Sequence, residues 1–354
     1  MNKSVEIVNQ DAARILEDGV YVDLPEADYF AQDALGSSDI RKLIADPVRW
    51  WWQSKHNPFK ELSDKKSPEM IIGSAWHCLA LEGRDAFESR YMKAPDKSEY
   101  DALLITTSDI RGRIADLGHK PEGKLKEDLI AQLARIDDGA QIWDRILAAA
   151  ETDPRQCLTA SDYEEIVLAA GALLENPDFQ IMRKDAFAEL SVFWTEGEGE
   201  DAVRRRARFD VIGPRGIADL KSIGIIGGDP RLAVMRAIDN NRYDIQAADH
   251  KRAMLAAFDF LDGQPKEVRR ALSCQPNYSW YFWDKRAGPS IHSVDALVGG
   301  LVWDSVDMEI TRALDDFRRF RSIFGMNNVW REHRDPNRYE PGASWGMRGF
   351  EEAA

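Results

Sequence analysis

The chain has 354 residues, 44% of them hydrophobic, enough for one large domain with insertions or for two ordinary domains with a real core. A net charge of −14 argues against an exposed basic surface that binds nucleic acid indiscriminately, while leaving room for a local basic groove. Cys78, Cys157 and Cys274 are widely separated, so neither a disulfide framework, a cysteine-ligated zinc nor a four-cysteine iron–sulfur cluster is expected. No apolar run reaches the length of a membrane span and residues 1–10 lack a signal-peptide stretch, so the expected compartment is the cytoplasm with no membrane partner.

In chain order, residues 20–36 read as an irregular lead-in. Ser37, Ser38 or Asp39 is placed to cap a helix with Ile40, Leu43 and Ile44 at helical spacing, and Pro47 ends it. Trp50, Trp51 and Trp52 follow as a bulky cluster, read first as packing and second as a base-stacking platform. After a charged connector at 60–68, residues 70–82 form a second helix. Residues 95–150 are rich in charge and broken by Gly118, Pro121 and Gly123, which marks an inserted or satellite unit. A helix capped within Thr159 to Asp162 then runs to Leu174, with Glu164 three residues past Ser161 as a capping-box partner.

Strands come next. Phe187 to Thr195 is predicted as one, and after an acidic turn at 196–201 a second runs into Asp210. Gly213 to Gly216 is the turn of a hairpin whose return strand carries Ile217 to Lys221, so the three strands form an antiparallel meander. A helix is predicted over about 230–258. Residues 278–283 and 290–294 make a late hairpin, 306–324 a final amphipathic helix, and the tail from Asn327 has few core signals.

The 208–221 hairpin carries the chemistry. Strand side chains alternate between faces, so Asp219 and Lys221 project to one side and Ala218 and Leu220 to the other, with Asp210 on the partner strand able to converge on them. Two carboxylates and an amine suit metal-dependent phosphodiester cleavage; the competing reading is two hairpin charges and their salt-bridge partner. Arg204, Arg206 and Arg208 share a face with Asp210 on an extended strand. They offer either a basic groove or a solvated edge.

Four separated blocks resemble the exonuclease branch of the PD-(D/E)xK nucleases, specifically prophage RecE-like exonucleases, with lambda exonuclease and the RecB nuclease domain more distant. They are Gly73 to His77 continuing through Leu81-Glu82, Ala188 to Trp194, Asp210 with Asp219-Leu220-Lys221, and Tyr243 to Gln246. The resemblance spans most of the chain apart from residues 95–150. His250 stands where the family's helix often has a tyrosine, and either replaces it as a DNA contact or packs.

The resemblance implies an α/β fold with a PD-(D/E)xK restriction-endonuclease-like core, a mixed sheet flanked by helices, and a helical N-terminal part. The expected divisions are 1–69, 70–94, the insertion 95–150, the nuclease core 151–326 and a tail 327–354. The expected activity is a magnesium-dependent (manganese as substitute) exonuclease degrading linear double-stranded DNA from its ends, 5′ to 3′, to expose 3′ strands for phage-type recombination. Asp210, Asp219, the Leu220 carbonyl and His77 are the expected metal ligands, with Lys221 orienting or deprotonating water and Glu189 at the edge of the site. Gln246, Tyr243, His250, Arg204, Arg206 and Arg208 are the expected DNA contacts. A ring-shaped homo-oligomer and a RecT-like single-strand-annealing recombinase are the implied partners. The alternatives are another nuclease of the superfamily, an endonuclease or a Cas4-like enzyme that the cysteines disfavour, and a non-catalytic DNA-binding protein with this fold. Residues 106–133 also resemble a small helix-extended-helix module of the SAP type, in which Lys120, Lys124 and Lys126 would touch phosphates; the competing reading is a solvated helical insertion.

Overall fold

A computed structural model of the chain describes residues 15–60, 67–274 and 277–332. Expectations for residues 1–14, for 61–66 of the charged connector and for the tail beyond 332 lie outside the described residues. Among the described residues there are eight strands: β1 (Gly19–Tyr21), β2 (Tyr91–Lys93), β3 (Gln156–Leu158), β4 (Phe187–Glu196), β5 (Val203–Gly213), β6 (Gly216–Ile223), β7 (Asn277–Asp284) and β8 (Ser290–Leu297). β2 and β3 form a small parallel pair, and the others make one six-stranded sheet in the order β1-β4-β5-β6-β7-β8. Only β6 and β7 run parallel in it. A parallel neighbour cannot be reached by a tight turn, so the chain crosses over through helices Pro230–Asn241, Tyr243–Ala257 and Lys266–Leu272. The result is a mixed α/β architecture, a mostly antiparallel sheet flanked by helices.

Both faces of the sheet are covered. On one, Leu190, Phe209, Ile217 and Phe282 pack against Val234, Ala253, Met254 and Val268 of the crossover helices. On the other, Val211, Leu220, Tyr281 and Trp283 pack against Trp76, Ile166, Leu173 and Phe179. These last belong to helices Pro68–His77, Ala160–Glu175 and Pro177–Arg183. β6 and β7 are therefore buried on both sides, which accounts for their nearly continuous apolar sequence.

The crossover also buries an arginine. Arg205 is fully enclosed, in ion contact with the equally buried Asp249 and bonded to Glu196 Oε1 at 2.7 Å and to the Leu35 carbonyl at 3.2 Å. Removing one partner of such a pair leaves an uncompensated buried charge, at a cost of about 3–5 kcal/mol.

Several sequence expectations are corrected. The helix expected over 230–258 is two, broken at Arg242, whose φ of 51° is left-handed and whose N–H caps the first helix on Asp239. Thr159 caps the Ala160–Glu175 helix through the Asp162 N–H at 3.0 Å, so the cap lies two residues earlier than Ser161, and Glu164 instead pairs with Lys93 at 2.8 Å. The late hairpin and the final helix are longer than expected, the helix spanning Leu301–Phe324. In the 95–150 insertion, helices Thr107–Asp116, Lys126–Ile136 and Trp143–Thr152 accompany a small core of Ile110, Ile114, Leu129, Leu133 and Ile142. Lys126, expected to reach phosphate, is bonded to the Ile105 carbonyl and to Asp144, each at 2.7 Å.

The described residues divide into two compact units, 15–37 with 67–307 and 38–60 with 308–332. In the second, Trp50 and Trp51 lie on a short helix, Pro47–Gln53, that Asp46 caps. Trp50 packs on Phe317 and Trp330 and donates to Asp39, while Trp51 donates to the Met326 carbonyl. Trp330 is thus a core residue of the segment expected to have few.

The β5–β6 turn sets a conformational demand. Gly216 has φ 132°, and a Cβ there would lie 2.4 Å from the Asn277 backbone oxygen. Gly216→Ala is expected to lower stability by about 2 kcal/mol or more, read from urea unfolding, with the midpoint moving and the slope unchanged.

Candidate active site

β5 and β6 pair only over Val211–Ala218, Ile212–Ile217 and Gly213–Gly216. Beyond Ala218 the strands part, and Asp210 fills the gap: its Oδ2 accepts the Leu220 N–H at 2.7 Å, a bond that the β5 backbone would otherwise supply. Side-chain alternation also breaks here. Phe209 and Val211, two apart, pack on opposite faces of the sheet. On β4, Glu189 has φ 55° in the middle of the strand, a conformation that costs a non-glycine residue about 1 kcal/mol or more.

The Pro68–His77 helix delivers its last residue to the same gap. His77 Nε2 lies 2.9 Å from the Leu220 carbonyl and Nδ1 lies 3.7 Å from Asp210 Oδ2. Gly73, one turn earlier, faces β6, where a Cβ would make an ordinary contact 3.4 Å from Ser222 Oγ.

Asp219 is 0% exposed. Its Oδ1 accepts from Gln246 Nε2 at 2.8 Å, and Oδ2 is in ion contact with Lys221 Nζ, which also donates to the Leu220 carbonyl at 3.3 Å. Lys221 lies 5.0 Å from the centre of the Tyr243 ring, a cation–π contact. Burial raises the Asp219 carboxyl and the Lys221 ammonium partly offsets this. For Lys221, burial acts to lower its proton affinity, but Asp219 and Asp210 prevail and keep it charged.

Glu189 lies at the edge of the same site, on a cavity of 820 Å³ that also reaches His77, Asp210 and Arg208. Burial, then the neighbouring Asp210 charge, push its carboxyl up to about 8, against the pull of Arg208 3.5 Å away. Glu82 lines this cavity too, held by Arg90 through two parallel bonds of 2.6 Å. It sits on a single π-helical turn, Cys78–Glu82, that helical periodicity could not reveal.

The structure therefore brings together His77, Glu189, Asp210, Asp219, Leu220, Lys221, Tyr243 and Gln246. It does not bring His250, Arg204 and Arg206 into this group. His250 is 2% exposed, packed on Phe209 and 3.1 Å from the Tyr278 hydroxyl, so of its two expected roles packing is the observed one. Arg204 is bonded to Asp18 and the Leu16 carbonyl, and Arg206 to the carbonyls of Tyr29, Phe30 and Gln32. Arg208 is bonded to Ser191 and the Leu24 carbonyl, and is the one of the three that lines the cavity. The basic face expected from the arginine run is thus largely consumed in tying the lead-in segment to β5.

Among the described residues no three His, Cys, Asp or Glu side chains stand close enough to form a ready set of metal ligands. The donor chemistry nonetheless fits a hard divalent cation, with two carboxylates, a strand carbonyl and an imidazole around one gap.

No family model matches the chain, and no curated protein does. Among solved structures, the chain is similar to one described as the crystal structure of SSO0001, at 10% identity, covering 61% of this chain and 77% of that one with a TM-score of 0.23.

Burial lowers His250 from an ordinary 6.5 to about 4. The unfolded chain therefore takes up the proton first as pH falls, and stability is lost from about pH 6.5 down towards 4, with no such loss above that window. His250→Gln is expected to remove up to about 2 kcal/mol of the fall between pH 7 and pH 5, measured as the change in Tm across that range. Parallel profiles for the two proteins would contradict this assignment.

Proposed function

We propose that this chain is a divalent-metal-dependent exonuclease of the PD-(D/E)xK type, acting on linear double-stranded DNA. The observation that carries the reading is the gap between β5 and β6, where Asp210, Asp219, the Leu220 carbonyl, His77 and Lys221 converge beside the helix bearing Gln246. Acidic ligands and an ammonium around one strand carbonyl suit phosphodiester hydrolysis, in which water attacks phosphorus and an alkoxide leaves.

Asp210, Asp219, Leu220 O and His77 are the groups that would hold magnesium, with manganese as a substitute. When bound, the ion supplies Lewis-acid polarisation of the phosphate and a more acidic water. Lys221 Nζ is positioned to hydrogen-bond the attacking water and to offset charge growing on the phosphate oxygens. Gln246 fixes the Asp219 carboxylate from the far side, and Glu189 and Arg208 shape the cavity wall next to the scissile phosphate. Polarity from 5′ to 3′, a ring-shaped homo-oligomer around the duplex, a RecT-like annealing partner and a cytoplasmic location belong to this proposal through the family resemblance. Among the described residues no helix is long and apolar enough to cross a membrane.

The test compares end-labelled linear duplex with a closed circle, in magnesium or EDTA. The expected outcome is degradation of linear DNA only, in magnesium only, falling to background in Asp219→Asn. Gln246→Ala should lose about 10–100-fold, as expected of a residue that holds a ligand in place. Cutting of the circle would favour an endonuclease, and full activity in Asp219→Asn would remove the site from the chemistry.

A further inference from the structure

The unit formed by the described residues 38–60 and 308–332 differs in charge from the rest of the chain. Its described residues carry ten Lys and Arg against six Asp and Glu, within a protein of net charge −14. Both acids of the 38–60 segment have structural tasks. Asp39 accepts the Trp50 indole N–H at 3.0 Å, and Asp46 accepts the N–H groups of Val48 and Arg49 at the start of the Pro47–Gln53 helix.

Three consecutive tryptophans on a helix point about 100° apart, so one core cannot take them all. Trp50 and Trp51 are enclosed, whereas Trp52 is 53% exposed and Phe59 is 71% exposed. The segment after the helix folds back on its end: Asn57 Nδ2 donates to the Trp52 carbonyl at 2.8 Å, and the Lys60 ammonium bonds the Gln53 carbonyl. Lys60, next to Phe59 in sequence, is thereby held at the end of the helix that carries Trp52. Arg49, exposed and three residues before Trp52, is its neighbour on the helix surface. The short stretch 49–60 thus carries two exposed aromatic rings and two exposed cations.

We propose that this face, carrying Trp52, Phe59, Arg49 and Lys60, is a docking site for single-stranded nucleic acid. Bases stack on the two rings and phosphates meet the two cations; every base offers a π face, so the site is indifferent to sequence. Charge complementarity selects this occupant over an apolar protein surface, because an uncharged partner would leave Arg49 and Lys60 to be desolvated without compensation. The inference goes beyond the nuclease reading and does not depend on the metal site.

The test uses the full chain in EDTA, so that no strand is cut, and a fluorescein-labelled oligothymidylate of about 20 nucleotides followed by anisotropy. Trp52→Ala should weaken binding about tenfold, and Trp52→Phe, which keeps a ring, should restore most of it. Arg49→Gln should lower the slope of log affinity against log salt by about 0.7, the loss of one phosphate contact. Wild-type affinity in Trp52→Ala would overturn the proposal, as would a loss that Trp52→Phe does not restore, which would mark the ring as packing only. Trp52-dependent binding to phosphatidylserine vesicles without Trp52-dependent binding to the oligonucleotide would assign the face to lipid and also overturn it. Cleavage of linear duplex in magnesium is scored separately, so failure of the nuclease reading and failure of this one are distinguishable.

Discussion

Beyond the Val211–Ala218 pair, β5 and β6 separate, and the candidate site is built from what fills the space between them. A strand that loses its neighbour exposes backbone N–H and C=O groups that must be satisfied. The Leu220 N–H is taken by the Asp210 carboxylate, and the Leu220 carbonyl turns to His77 and Lys221. One backbone unit thereby organises an acid from β5, an imidazole from the Pro68–His77 helix and an amine from β6. The other side of Leu220 is locked by its pairing with Tyr281 on the parallel strand β7, so the gap opens on one side only.

The electrostatics follow from that geometry. Asp219 lies in the doubly covered middle of the sheet, where a carboxylate without partners would be untenable. Lys221 and Gln246 offset part of the cost, and burial still raises Asp219. Asp210 adds negative charge a short distance away, and together with burial it makes Glu189 hold its proton more tightly. Three carboxyl groups thus crowd one place in the sheet, with Lys221 and Arg208 as the neighbouring cations. The proposed divalent ion would take its acidic ligands, Asp210 and Asp219, from this group.

The hairpin was legible because two rules of local structure agree on it: alternation put Asp219 and Lys221 on one side, and Gly213 to Gly216 marked the turn. Gln246 and His77 came from the resemblance, and their contacts with Asp219 and Leu220 O place them in the same gap. Alternation did not show that it breaks at Asp210 and Glu189, because a positive φ at a glutamate has no sequence signature. In the run Arg204 to Arg208 it was Arg205 that was buried, and its counter-ion Asp249 lies 44 residues away on a helix, a separation that no local pattern spans. The same limit applied to the tryptophans. Sequence grouped Trp50, Trp51 and Trp52, whereas partners near residues 317–330 decide which two become core.

The central claim is that Asp210 and Asp219, from two parted strands, act together as ligands for one divalent site. Titration of the full chain with Mn²⁺, following the free-ion signal by electron paramagnetic resonance, tests it without reference to any nucleic acid. The account predicts saturable binding in the wild type that is lost in both Asp210→Asn and Asp219→Asn, with each variant still folded by circular dichroism. Binding that persists unchanged in either variant, or its absence from the wild type, would contradict it.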